Sequence, residues 1–387
     1  MNELVVSLRR QGHTIGVRAE DVPDCGPLEI VPDTSLWHDG QYAPEIVDGI
    51  AFCSVSDNAE GSMVSAVDLA IRTVKWQTPT GGDWMGIFPN PVGDIVITAT
   101  DEGSVYCIRQ SDGEILWLRE QTSLQHDPIY SLAVNGSRVV FGTYGGDLSC
   151  LDAATGKHIW KVSHTEELGR IKANPVVWRD SAIFCMWQAS LLCLDMKNGQ
   201  QRWRIEYGGV GPGDDHMNPL LADDLLLIPS YSEGMCAMDL AGRQLAWVSK
   251  PDLCVCGRTP VALGGVLYYR DDHSGILYGT PLRPSNALSP KPLLVFQFDS
   301  GDALEDPDLT VHRNRLYCPS GQWLYVIEPR PAEGIPTEYH IRKYSAPGRF
   351  ATGLAHDGDL FCAGMTTYKL LIGRLPDPSA PEDSRSR

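Results

Sequence analysis

The chain has 387 residues, 43% of them hydrophobic, enough for a large packed core. It carries 32 basic against 49 acidic residues, a formal net charge of −17, which argues against nucleic acid or an anionic membrane as a main partner, since both demand a basic face. Its 11 cysteines include no Cys-x-x-Cys pair and lie mostly inside apolar runs such as Ala51-Phe52-Cys53 and Leu360-Phe361-Cys362, the pattern of small buried thiols in a reducing cytosol.

At the N-terminus, the short run Leu4–Leu8 ends at Arg9 and Arg10. It lacks the basic start, long apolar middle and small-residue cleavage site of a signal peptide. No apolar stretch approaches the ~18 residues of a membrane span, so a cytoplasmic location is expected. A repeat then sets in. Ala66, Asp68 and Trp76 form a first copy, and Val105-Tyr-Cys-Ile-Arg109-Gln-Ser-Asp-Gly113-Glu-Ile-Leu-Trp117 a second. Leu148-Ser-Cys-Leu-Asp152-Ala-Ala-Thr-Gly156-Lys-His-Ile-Trp160 and Leu191-Leu-Cys-Leu-Asp195-Met-Lys-Asn-Gly199-Gln-Gln-Arg-Trp203 follow, then Met235-Cys-Ala-Met-Asp239 through Gly242 to Trp247. The tryptophans recur every 41 to 44 residues, each eight residues after the Asp position, which Arg109 occupies in the second copy.

That period is one four-stranded propeller blade. Hairpins precede each motif, as in Val134-Asn135-Gly136-Ser137-Arg138-Val139, with residues suited to tight reversal. Two degenerate copies run from Pro260 to Phe298 and from Leu309 to Ile341. Thr352–Gly364 and Tyr368–Leu375 supply about three further strands. No long amphipathic helix is found. The expectation is an all-β, single eight-bladed β-propeller of four-stranded antiparallel blades, closed by pairing of N-terminal and C-terminal strands. Its blades fall roughly at 43–80, 89–121, 128–163, 174–208, 217–249, 259–299, 308–344 and 350–375, the last completed by residues 3–19 (Glu3–Leu8 or Thr14–Ala19). The Pro/Ser/charge-rich tail 376–387 is expected to be disordered.

The Ala-x-Asp-x-x-Thr-Gly-x-x-x-Trp pattern, over roughly residues 40 to 375, resembles the PQQ-like repeat of quinoprotein dehydrogenases and of BamB-like outer-membrane assembly lipoproteins. The resemblance implies that the repeat tryptophans dock between blades, and the repeat Asp residues read as turn and hydrogen-bond anchors. The activities of the two groups transfer poorly, and a PQQ-dependent oxidoreductase is a less favoured reading. Quinoprotein dehydrogenases hold a vicinal disulfide, whereas Cys254-Val255-Cys256 has an intervening residue. The lipidated N-terminus of the BamB-like proteins is not expected here. No cofactor and no metal are expected.

In a propeller, one face gathers the loops between blades and those joining the middle strands, around the mouth of the central channel. The chain places there Trp84, His126, Asp127, Arg170, Lys172, Asp215, His216, Arg258, Asp306 and Arg349 from the blade junctions, and Trp187 and Tyr231 from the middle-strand loops. A His beside a carboxylate can be tuned for proton transfer, so His216 with Asp215 and His126 with Asp127 are the catalytic candidates. Arg170, Lys172, Arg258 and Arg349 could hold an anion, with Asp306, Trp84, Trp187 and Tyr231 completing a substrate site. No nucleophile elbow, Walker loop or dinucleotide fingerprint appears. Two functions follow. The favoured one is an acid–base enzyme (lyase, cyclase, isomerase or hydrolase) acting on a small polar or anionic metabolite at the channel mouth. The other is a non-catalytic protein-interaction scaffold, with Trp84, Trp187, Tyr231 and Trp323 as aromatic anchors.

Overall fold

The computed structural model describes residues 4–7, 18–30, 43–57, 61–81, 89–120, 127–163, 171, 173–208, 217–230, 234–249, 259–271, 275–285, 289–298, 307–331, 336, 338–367 and 369–376. These form a ring of eight antiparallel sheets, a β-propeller, with strands spanning 45–79, 90–120, 131–163, 176–206, 220–249, 261–297, 310–345 and 355–374. In each of the first seven, four strands run in sequence order from the centre outward, as in Val176–Trp178, Ser181–Met186, Ser190–Asp195 and Gln201–Glu206 of blade four. The inner strand of blade one, Glu45–Val47, lies beside that of blade eight, Ala355–Asp357, and closes the circle.

The burial gradient explains the sequence pattern. Blades stack face against face, so their middle strands are covered on both sides and read as continuous apolar runs rather than alternating ones. Ser181–Met186 and Leu225–Ser230 are buried at every position, whereas the outer strand Gln201–Glu206 buries only Trp203. Several hairpins from inner to second strand reverse through two residues with positive φ, as at Asp48-Gly49 and Arg313-Asn314. That backbone suits the right-handed twist of the strands it joins.

The repeat residues form the joints between blades. The indole N–H of Trp76 donates to the carbonyl of Gln110 in the next blade at 2.8 Å; Trp117, Trp160 and Trp247 do the same to Ala153, Met196 and Leu282 at 2.9, 3.0 and 3.0 Å. Each repeat Asp organises its own turn. Asp152 accepts from the Thr155 N–H and hydroxyl at 2.9 and 2.7 Å, and Asp195 accepts from the Lys197 N–H at 2.8 Å and from Arg202. Blade two reverses the charges: the Arg109 guanidinium binds Asp112 and Glu114 across the same turn.

Closure does involve the N-terminal segment and the last blade, but the described residues of the 3–19 stretch, Leu4–Ser7 with Arg18 and Ala19, do not complete blade eight. Leu4–Ser7 pairs antiparallel with Glu338–Ile341 in the outer strand of blade seven, and Arg18 bridges to Gln297 in blade six. Asp24–Pro27 returns parallel to the far end of the same blade-seven strand. Ile30 then bridges to Gly373, and Glu29 accepts the Arg374 N–H at 3.0 Å, giving blade eight its outer edge. The physical reason is that edge pairing uses backbone groups. The outer strand of blade seven, Glu338–Ser345, is long enough to take two partners, and no side-chain pattern marks which edge an added strand will choose.

Candidate functional site at the channel mouth

The junction residues two positions before the inner strands tie one blade to the next. Asn218 accepts the backbone N–H of Asn174 at 2.8 Å, and Asp308 accepts that of Thr259 at 3.3 Å. One step further in, the Thr310 hydroxyl donates to the Leu354 carbonyl at 2.9 Å. Side-chain acceptors here do what strand ladders cannot, because the chain is crossing between sheets and its N–H groups need partners.

Of the candidate site residues, Asp127, Trp187 and Arg349 are described, as is the proposed aromatic anchor Trp323, which is half-buried in blade seven under the Lys343 ammonium, 4.9 Å from its ring centre. Asp127 is buried at the start of blade three, and its carboxylate accepts the Gly145 N–H at 2.6 Å, fastening the junction to the Tyr144–Gly146 turn. The same turn is held from its other side by Tyr144 N–H to Pro128 carbonyl, 2.8 Å. Arg349 is exposed beside blade eight, and its carbonyl accepts the Thr366 N–H at 3.0 Å. Trp187 is exposed on the middle-strand turn of blade four. The three therefore stand on or beside different blades. His126, Asp215, His216, Arg170, Lys172, Arg258, Asp306, Trp84 and Tyr231 lie outside the described residues.

Two groups on this face were missed by sequence reasoning. Glu45 opens the inner strand of blade one, where blades four, five and six carry Val176, Leu220 and Val261. Water reaches it, yet protein crowds its carboxyl, and that burial pushes its pKa up to about 7. A charged side chain where blades four to six carry apolar residues, and blades two and seven the neutral Asn90 and Thr310, was the available signal. Arg270, one residue before the end of the second strand of blade six, is fully buried. Its guanidinium donates to the carbonyls of Pro307 and Pro319 at 3.3 and 3.1 Å and lies 3.8 Å from the centre of the Phe298 ring. It thereby pins blade seven to blade six. The charged pair Arg270-Asp271 closing an apolar strand was its sequence signal.

Among the described residues, no group of three His, Cys, Asp or Glu side chains is placed to hold a metal ion. The nearest approach to a titratable cluster lies at the contact of blades seven and eight. The His312 and His356 rings meet at 4.5 Å between centroids, and His312 Nε2 is 3.5 Å from Asp359. Burial first, then His356, lowers the His312 pKa below its ordinary value.

Known proteins place this architecture. A family described as outer membrane protein assembly factor BamB matches residues 60–283, more than half of the chain. Among solved structures, BamB from Moraxella catarrhalis superposes with a TM-score of 0.65 over 89% of this chain and 100% of its own, at 14% identity. The computationally designed Ika8 protein does so with a TM-score of 0.65 over 90% of this chain and 100% of its own, at 11% identity. Likeness at such identities speaks for the fold alone. Among curated proteins, none matches. With the family match spanning most of the repeats, the chain belongs to the BamB-like family of PQQ-type β-propellers.

Proposed function

We propose that the chain is a non-catalytic platform that binds a protein partner. The observation that carries this reading is that most exposed large apolar side chains among the described residues lie on the neighbouring blades one and two: Ile71, Val74, Ile115, Leu116 and Leu118. Grouped apolar surface of this kind is what an interface buries. The mouth supports the reading from the other side. Asp127, Asn218 and Asp308 accept backbone N–H groups, which suits holding loops rather than moving protons. The family description, an assembly factor, points the same way.

Glu45 favours a second reading, a cytosolic acid–base enzyme acting on a small polar or anionic metabolite at the channel mouth. A carboxyl titrating near neutrality is matched to proton transfer. A cytosolic setting is supported by thiols such as Cys107 and Cys185, whose pKa burial pushes up to about 12, so that they pack as small neutral groups.

Native mass spectrometry of the chain drawn rapidly from its own lysate separates the two, with Glu45→Gln alongside. A protein-bound species retained by Glu45→Gln supports the platform. A small-molecule adduct that Glu45→Gln loses, with no protein-bound species, supports the enzyme and overturns the platform.

A further inference from the structure

This inference rests on the platform reading and names the site and its occupant. The outer strands are the exposed edges of the ring, and such edges are usually blunted by charge or by cover. The chain covers three of them with its own N-terminal segment, at Gln297, Glu338–Ser345 and Gly373. Other outer strands are polar or partly covered at the matching position. The residue after the repeat tryptophan is Gln77 in blade one, Lys161 in blade three and Arg204 in blade four, all exposed, while Val248 of blade five is half-buried. In blade two it is Leu118, 48% exposed, with Ile115 and Leu116 at 40% and 41% on the same strand.

The register orients these side chains. Ile115 opposes Ile108, and Leu118 opposes Tyr106; both partners pack toward blade one. The Tyr106 hydroxyl in turn reaches toward Gly81, just past the end of blade one's outer strand. Ile115, Leu118 and Tyr106 thus line an apolar seam between the rims of the two blades, beside an outer strand whose free edge has no strand on it among the described residues. One end of the seam is acidic. Glu120, the last residue of the strand, and Glu102, in the turn that precedes Ser104, are both exposed, and both act on the Tyr106 hydroxyl.

We propose that the outer strand of blade two, Ile115–Glu120, takes an extended segment of a partner protein by strand addition, with alternate apolar side chains of that segment on Ile115 and Leu118 and a Lys or Arg beside Glu102 and Glu120. The backbone supplies affinity, the apolar seam sets which residues alternate inward, and the carboxylates set direction. Blade seven shows that an outer strand of this chain accepts such an addition, since Leu4–Ser7 does so there.

The test uses the full chain and two short synthetic peptides, each alternating Val with Thr, one ending in lysines and the other in glutamates. Amide hydrogen exchange of residues 115–120 is followed with each. The lysine-ended peptide is expected to slow exchange of alternate amides there. The glutamate-ended peptide is expected to bind roughly tenfold more weakly or less, since like charges then meet. Leu118→Lys, an exposed change that leaves the melting temperature in place, is expected to abolish the protection, whereas Leu245→Lys on the outer strand of blade five keeps it. Equal protection by both peptides, protection at Gln244–Ser249 instead, none at all, or a response unchanged by Leu118→Lys would overturn the proposal. Each of these leaves the platform reading to its own lysate experiment.

Discussion

The joint between blades can be broken by a single methyl group. Gly199 sits at φ +71° in the repeat turn, and a Cβ built there would lie 2.8 Å from Cδ2, 2.9 Å from Cγ and 3.0 Å from Cε3 of Trp160 in the preceding blade. That indole is buried and is held by its N–H on the Met196 carbonyl. Gly199→Ala therefore carries two costs. The left-handed backbone costs a residue with a Cβ about 1–2 kcal/mol. Forcing the indole off its seat costs a further ~1–3 kcal/mol. Gly136 provides the control, with φ +56° and no atom within 4 Å of the added Cβ, so Gly136→Ala carries the backbone cost alone. Urea unfolding followed by far-UV circular dichroism should show Gly199→Ala losing about 1–3 kcal/mol more than Gly136→Ala. In a Trp160→Ala background that excess should vanish, because the atoms it clashes with are gone. Equal losses for the two glycines, or an excess that survives removal of the indole, would refute the docking argument.

Asp127→Ala should remove the side-chain acceptor of the Gly145 N–H, which water can then reach, and cost about 1 kcal/mol, seen as faster hydrogen exchange in the Tyr144–Gly146 turn, while Asp127→Asn keeps an acceptor and should lose much less. His158, His312 and His340 all hold their protons less tightly when folded, each chiefly through burial, so the unfolded chain binds more protons. Their contribution is therefore present above the ordinary value of about 6.5 and is lost as pH falls below it; the melting temperature should drop between about pH 7.5 and 5.5, and His312→Gln should flatten that slope. Glu45 acts with the opposite sign, because its folded pKa lies above the ordinary 4.5, at about 7. The folded chain then binds the extra proton, and stability falls as pH rises through that window. Glu45→Gln should raise the melting temperature at neutral pH and have little effect at about pH 4.

Much of the architecture was legible because its determinants are local. Asp152, Gly156 and Trp160 lie within one turn and one strand, so the residues that shape a blade recur together, and their period states the blade size directly. The closing segment was not legible in the same way. Leu4–Ser7 meets residues 338–341 in a backbone ladder, and nothing in the sequence distinguishes the edge of blade seven from that of blade eight. Loop chemistry was legible only as position. Asp127 does face a junction, but pairing with Gly145 N–H depends on a turn brought in from the other end of two strands. Glu45 is not legible from the repeat, because the Asp and Trp that define it lie on the outer two strands, whereas Glu45 stands on an inner strand that carries neither. Leu118 stands out only against the residues that follow the tryptophan in other blades.

The most direct test of the platform account is native mass spectrometry on the wild type, Glu45→Gln and Leu118→Lys, each drawn from the chain's own lysate under identical conditions. The account predicts a protein-bound species in the wild type that survives Glu45→Gln and is lost in Leu118→Lys. A small-molecule adduct that disappears with Glu45→Gln, in samples where no protein partner is held, would contradict it.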